Sequence, residues 1–428
     1  MNEKNLSEKL FKPKFDYPET STLVTQIKSG QQLTNSFLDS EGNSCWYRAI
    51  NRLSWQWRGL PFIETEEVLS RISISKKRRS NPNWLDTVVG YQSGNWIYEF
   101  WAQATKWQKQ ADFDEQLTVA ESEFEAYHSK CHQSWLMASG FMTLAGYPYF
   151  RNDDLANQAV LLAYRYYRHA MDHSPFIVKD LDFNLNDKVI KAILHTPLKK
   201  SDPIRAFPVV LLCSGLNDLQ IDFYRFFIEH LAPLGIGLLT VDNPSMGNSK
   251  HFNLSQNTSI IHQAILEQIR TVPLIDYQNV ILLGYRFGAN IATRLAYLMP
   301  SKIKGLINIA PIIHQIFIDP QMQAKLPMIY RDMLADRIGL KNFSEQQLQA
   351  ELKFFSLKEQ RLLIKPCNVP VLNIFYEGDL LNNIEETKLI TSTKSTKLFK
   401  IQLLTLKQDL QQRSQNLANW LKDLVFRS

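Results

Sequence analysis

The stretch Val280 to Asn290, VILLGYRFGAN, constrains the fold more than any other part of the chain. An apolar run ends at Gly284, and a helical pattern begins at Ala289. Between them stand Gly284-Tyr285-Arg286-Phe287-Gly288. Small residues at both ends of such a junction let a helix pack tightly against the strand that feeds it. The pattern therefore predicts a strand, a strained turn and a helix, with Arg286 at the tip of the turn.

The neighbouring segments repeat this alternation. Strands are expected at Val209 to Cys213, Ile236 to Val241, Val280 to Leu283, Ile303 to Ile309, Val369 to Phe375 and Leu398 to Leu403. Helices are expected at Asp222 to Ala232, Ser259 to Arg270, Ala289 to Leu298 and Gln411 to Val425. Before them, Phe176 to Leu185 and Lys188 to His195 alternate like strands around the hairpin signal Asn186-Asp187. A hairpin followed by βα units implies an α/β fold, a mostly parallel sheet covered on both faces. About sixty residues separate the strands at 303–309 and 369–375, too many for a simple crossover. Tyr330 to Arg337 and Glu345 to Phe355 look helical there, so a helical insertion over about 312–366 is expected above the site.

The chain changes character near Ser174-Pro175. Residues 1–175 form a mainly helical cap in this reading, and 176–428 the core. Helical spacing marks Trp46 to Trp57, the stretch holding Trp96, Phe100 and Trp107, Leu136 to Gly146 and Leu155 to His169. The first forty residues read as extended and irregular. Trp96, Tyr98 and Trp101 read as core.

Ligands of open α/β sheets bind beyond the carboxyl ends of the strands. Four loops fall on that edge: Ser214-Gly215-Leu216-Asn217-Asp218, Asp242 to Ser249, the Gly284–Gly288 turn, and Tyr376-Glu377-Gly378-Asp379. Their order is that of the α/β-hydrolases, whose G-x-S-x-G elbow carries the nucleophile and whose first loop offers an oxyanion a backbone N–H. The chemistry departs from that plan. Arg286 stands at the serine position, and arginine stays protonated and cannot be a nucleophile. A triad histidine should follow Asp379, yet no histidine occurs after His314.

Two roles are open to Arg286. It is a buried cation paired with a carboxylate, or an anion clamp whose guanidinium fork takes a carboxylate beside the helix N-terminus at Phe287. Asp379 is then a structural acid or the partner of a cation. His314, just past a strand end, is the remaining acid–base candidate. Gly215, Leu216, Asn217, Ser245 and Phe287 are the candidate substrate-binding residues. Ser214, Ser245 and Ser249 read more readily as turn residues than nucleophiles, and His262 as a packed histidine.

Composition excludes several classes. The formal net charge of +6 over 428 residues does not point to nucleic acid, and the run Lys76-Lys77-Arg78-Arg79 has no interleaved aromatics. No C-x-x-C pair links Cys45, Cys131, Cys213 and Cys367, so neither a zinc site nor a redox pair is expected, and no cofactor. Neither a secretory leader nor an eighteen-residue apolar run occurs, so a cytoplasmic protein with no membrane partner is expected.

The blocks NLSEKLFKPKFDYPETSTLV, YRAINRLSWQWRG, DTVVGYQSGNWIYE, VDNPSMGNSK and GYRFGANIATRLAYL, with Phe355-Ser356-Leu357-Lys358, resemble the fermentation–respiration switch proteins, the FrsA-type esterases. The resemblance runs over almost the whole chain and includes the arginine at the elbow. It implies an α/β-hydrolase core with an N-terminal helical cap and a cytosolic carboxylic ester hydrolase acting on a small ester or carboxylate. It further implies a link to the glucose-specific IIA component of the sugar phosphotransferase system, and a cofactor-independent decarboxylase acting on a small 2-oxo acid as another activity. A catalytically silent hydrolase fold serving as regulator or metabolite sensor is the alternative of a different class. The family commonly has Gly-Leu-Asp in the first site loop, where this chain has Gly215-Leu216-Asn217 followed by Asp218.

Overall fold

The computed structural model describes residues 45–117, 121–377, 379, 381–401 and 406–426. The expected irregular N-terminal forty residues lie outside them. Helices come first: α1 (Arg52–Trp57), α2 (Phe62–Ser73), α3 (Trp96–Glu115), α4 (Phe124–Gly146) and α5 (Asp154–Asp172). Their starts follow capping chemistry. Asn95 accepts a hydrogen bond from the Tyr98 N–H, and Asp153 from the Ala156 N–H, each satisfying an orphan donor of the first turn. Trp55 packs edge to face on both Trp96 and Phe100, and the Trp96 indole donates to the Leu144 carbonyl at 2.7 Å. This buried indole packs as core, as its spacing implied.

The eight strands are β1 (Phe176–Leu185), β2 (Lys188–Lys199), β3 (Phe207–Cys213), β4 (Gly237–Val241), β5 (Ile275–Tyr285), β6 (Gly305–Ile309), β7 (Val371–Tyr376) and β8 (Thr396–Ile401). They lie in the order β1-β2-β4-β3-β5-β6-β7-β8, with β1 and β2 antiparallel and β3 to β8 mutually parallel. The β1–β2 hairpin closes on Leu185 opposite Lys188, with Asn186 left-handed at φ 52°. A two-residue turn needs that conformation, which asparagine tolerates.

Side chains alternate across the sheet, so consecutive apolar residues feed two cores. Val210, Leu212, Ile281 and Leu283 join a cluster with the cap, the helical segment α6 (220–234) and the C-terminal helix. Val209, Leu211, Val280 and Leu282 face a second cluster. That cluster draws on α7 (Ile260–Gln268), α8 (Gly288–Leu298) and, in the insertion, α9 (Gln315–Ile318), α11 (Met328–Ile338) and α12 (Glu345–Leu352), with the short α10 (Pro320–Ala324) between α9 and α11. Two helices complete the chain, α13 (Ile384–Lys388) and α14 (Leu406–Phe426). No helix among the described residues is long and apolar enough to cross a membrane.

Several boundaries differ from the sequence reading. Only Arg52–Trp57 of the stretch from Trp46 is helical, because Trp46 and Ile50 enter the cap core from irregular chain. Helix α2 is an addition. Segment α6 is a succession of 3₁₀, α and π turns rather than one α-helix. Phe223, Tyr224, Phe226 and Phe227 are all buried there, which one regular helical face cannot achieve. Strand β8 spans Thr396–Ile401, and Gln402 and Leu403 lie outside the described residues.

The loop after β4 joins cap to core through Asp242. Its buried carboxylate accepts the N–H groups of Gln220 at 2.8 Å and Asn248 at 2.7 Å, and the hydroxyl of Tyr164 on α5. Burial pushes its pKa up from 3.8 to about 6, against the pull of these donors. A folded pKa above the unfolded one means that the folded chain holds the proton more tightly. This contribution to stability is complete below about pH 4 and is lost as pH rises through about 6. The stability of wild type relative to Asp242→Asn should therefore fall across that window in urea titrations. A difference that is flat or rises with pH would contradict this account.

Candidate active site

Strand β5 ends at Tyr285, α8 begins at Gly288, and Arg286 holds the turn between them at φ 55°. A non-glycine residue in the left-handed region is strained, and here three backbone bonds hold it. The Arg286 N–H donates to the Ile309 carbonyl at 2.9 Å, and its carbonyl accepts from Ala289 at 3.1 Å and Ile312 at 3.3 Å. Gly288 admits no side chain, since a Cβ there would lie 1.8 Å from the Cys213 carbonyl oxygen on β3. A Cβ on Gly284 would meet Ala289 Cα at 2.4 Å. The two glycines therefore let α8 seat against β3 and β5.

From the turn tip, Arg286 Nη1 donates to Asp379 Oδ1 at 2.7 Å. The arginine side chain is 7% exposed and the carboxylate fully buried. Asp379 follows β7 and is braced by the N–H groups of Leu381 at 2.8 Å and Asn382 at 3.2 Å on the same oxygen. Its other oxygen has no hydrogen-bond partner among the described residues. The acid position and the nucleophile position of the hydrolase plan are thus joined as an ion pair.

Arg286 also lines a cavity of about 60 Å³ between the sheet edge and the insertion. Leu216, Asn217 and Phe287 line it from the core, and Ile316, Phe317 and Tyr330 from α9 and α11. The insertion therefore roofs the elbow. Phe287 meets Phe317 edge to face, with ring centroids 6.0 Å apart.

Other candidates stand elsewhere. The Gly215 N–H donates to Asp218 Oδ2 at 3.0 Å, so a side chain already occupies this oxyanion-type donor. Ser245, expected as a substrate-binding residue, does not line this cavity. Its hydroxyl reaches the Arg337 carbonyl at 2.7 Å and that of Phe252 at 3.1 Å, pinning a left-handed turn at φ 71° to α11. His314 is the expected acid–base candidate. It does not line the cavity; its ring turns to Ser356, with Nδ1 2.8 Å from Oγ. Burial lowers its pKa. His262 is fully buried on α7, where burial pushes its pKa down to about 4.

Two groups important to this edge carry no local sequence signal. Glu386 on α13 accepts the backbone N–H groups of Ile313, His314 and Gln315, fixing the path from β6 into α9. Arg58, at the end of α1, pairs with both Asp218 and Asp222. Each contact spans well over a turn of chain, so periodicity does not reveal it.

The whole chain matches a known family. Residues 1–426 fit the family described as Esterase FrsA-like. The chain belongs to the FrsA-like esterase family. It is 42% identical to the Esterase FrsA of Yersinia enterocolitica, with 99% of each chain covered. It is 41% identical to that of Serratia proteamaculans over the same shares. Among solved structures, a 2,6-dihydroxy-pseudo-oxynicotine hydrolase superposes with a TM-score of 0.68 at 11% identity, covering 88% of this chain and 96% of that one. AbyA5 superposes at 0.64 and 16% identity, covering 84% and 89%. These two likenesses are to the fold. Family and fold place the protein among the α/β-hydrolases, as the loop order implied.

Proposed function

We propose that this FrsA-like protein takes a small carboxylic ester with an apolar acyl group into the elbow cavity, where water rather than a side chain attacks it. One observation carries the reading: a guanidinium stands where a nucleophile would stand, facing apolar walls. A fixed cation there stabilises the negative oxygen that develops when a carbonyl is attacked. The water oxygen adds to the carbonyl carbon, the ester C–O bond breaks, and the departing alkoxide takes the proton that the water gives up. The size of the cavity supports a short acyl chain. Four free cysteines, one partly and three fully buried, support the cytosol as its compartment.

A second reading is favoured by Gly215. Its N–H is already engaged by Asp218, so the fold would bind a carboxylate without turning over an ester. Both readings require Arg286 to contact the ligand. Calorimetric titration with butyrate tests this. Wild type should bind, and Arg286→Lys, which keeps the charge but loses the planar fork, should bind about tenfold more weakly. Equal affinity in the two proteins would remove Arg286 from the site.

A further inference from the structure

A second cavity, of about 370 Å³, opens between the cap and the core on the α6 side. Its volume falls within the roughly 300–1,000 Å³ usual for small-molecule sites. Leu60, Leu136, Met137 and Ile221 supply apolar walls, and Asp222 lies at the buried end. Arg286 and Phe287 do not line it, so it is separate from the elbow cavity.

The charges of this buried end do not balance. Arg58 Nη1 is 2.9 Å from Asp222 Oδ2, and the same guanidinium pairs with Asp218 Oδ1. The three side chains are 8%, 3% and 4% exposed. Asp222 Oδ2 also accepts the Leu219 N–H at 2.8 Å. Burial raises the Asp222 pKa to about 6, so at neutral pH one cation serves two carboxylates and one negative charge is in excess. At the mouth, Arg225 cancels Glu229 through a 2.7 Å ion pair and donates to the Gln56 carbonyl at 2.7 Å. The wall's histidine, His132, makes a 2.6 Å contact from Nδ1 to the Ala170 carbonyl, and burial lowers its pKa, so it adds no positive charge at neutral pH. A carboxylate short of positive charge, facing a cavity with apolar walls, recognises a cation that carries an apolar body.

We propose that this cap–core cavity is a binding site for a small organic ammonium ion, with Asp222 as its counter-ion. The site is linked to the first. Arg58 holds Asp218, and Asp218 holds the Gly215 N–H of the loop beside the elbow. A cation that shares Asp222 changes the demand on Arg58, and the effect reaches that loop.

The test uses the full chain with the elbow cavity saturated with butyrate, and three probes of equal length: hexylammonium, hexan-1-ol and hexanoate. Calorimetry should show hexylammonium binding at least about tenfold more tightly than hexanol, and hexanoate more weakly still. Asp222→Asn should abolish the preference for ammonium over alcohol. Leu136→Trp, which fills the cavity and leaves the charges in place, should remove binding of hexylammonium. If Asp222→Asn does not fold, the wild-type ranking and Leu136→Trp decide. Failure of hexylammonium to bind wild type, hexanoate binding as tightly as hexylammonium, or unchanged hexylammonium affinity in either folded variant overturns the proposal.

Discussion

Arg286→Ala is expected to cost roughly 3–5 kcal/mol of folding stability, the range for removing one partner of a buried ion pair. The loss comes from what stays behind. The Asp379 carboxylate is fully buried, and after the substitution only the N–H groups of Leu381 and Asn382 still serve its bonded oxygen. A charge taken out of water without its counter-ion carries a large desolvation penalty. The double variant Arg286→Met with Asp379→Leu should recover most of that stability, because it removes both charges and keeps the volume. Urea unfolding of the three proteins measures this. A single-variant loss below about 1 kcal/mol would show that water reaches the pair and that it behaves like a surface bridge. Any assay of Arg286→Ala must accordingly be read beside its melting curve.

The second large effect concerns covalent chemistry. The protein should resist fluorophosphonates, and its turnover of activated esters should proceed without a burst. Among the described residues, no serine or histidine lines the elbow cavity. Ser245 is held by two carbonyls, and His314 is turned to Ser356. A hydroxyl without a positioned base is a poor nucleophile at neutral pH. For the same reason Arg286→Ser should remain about four to six orders of magnitude below a serine esterase in kcat, the scale of loss when triad members are removed. The measurement is mass spectrometry after phosphonate treatment, with ester hydrolysis followed in parallel. Stoichiometric phosphonylation of one serine, with matching loss of hydrolysis, would identify a nucleophile this geometry does not supply. Hydrolysis that persists unlabelled and vanishes in His314→Ala would mean that the His314 ring reaches the substrate after all.

The sheet was legible in the sequence because burial on two faces imposes short continuous runs of apolar residues, and those runs stand out along the chain. The elbow was legible because its glycines answer a steric demand within five residues. Both signals are local. The resemblance carried by the longer blocks likewise sufficed for the family. The irregular turns of α6 were not legible, since four aromatic residues there answer to cap and sheet at once. The role of Arg286 stayed open between clamp and ion pair, because its partner Asp379 is 93 residues away along the chain. Which histidine or serine enters the cavity was also a matter of tertiary structure. Ser245 and His314 sit near strand ends, but a side chain's direction is set by its nearest good acceptor or donor, and both find one away from the elbow cavity. The pairing of Asp218 and Asp222 with one shared cation arises only when α1 of the cap brings Arg58 against the core. Strand positions and turn geometry follow from short-range sterics and burial, whereas charge pairing and access to a cavity depend on residues that only folding brings together.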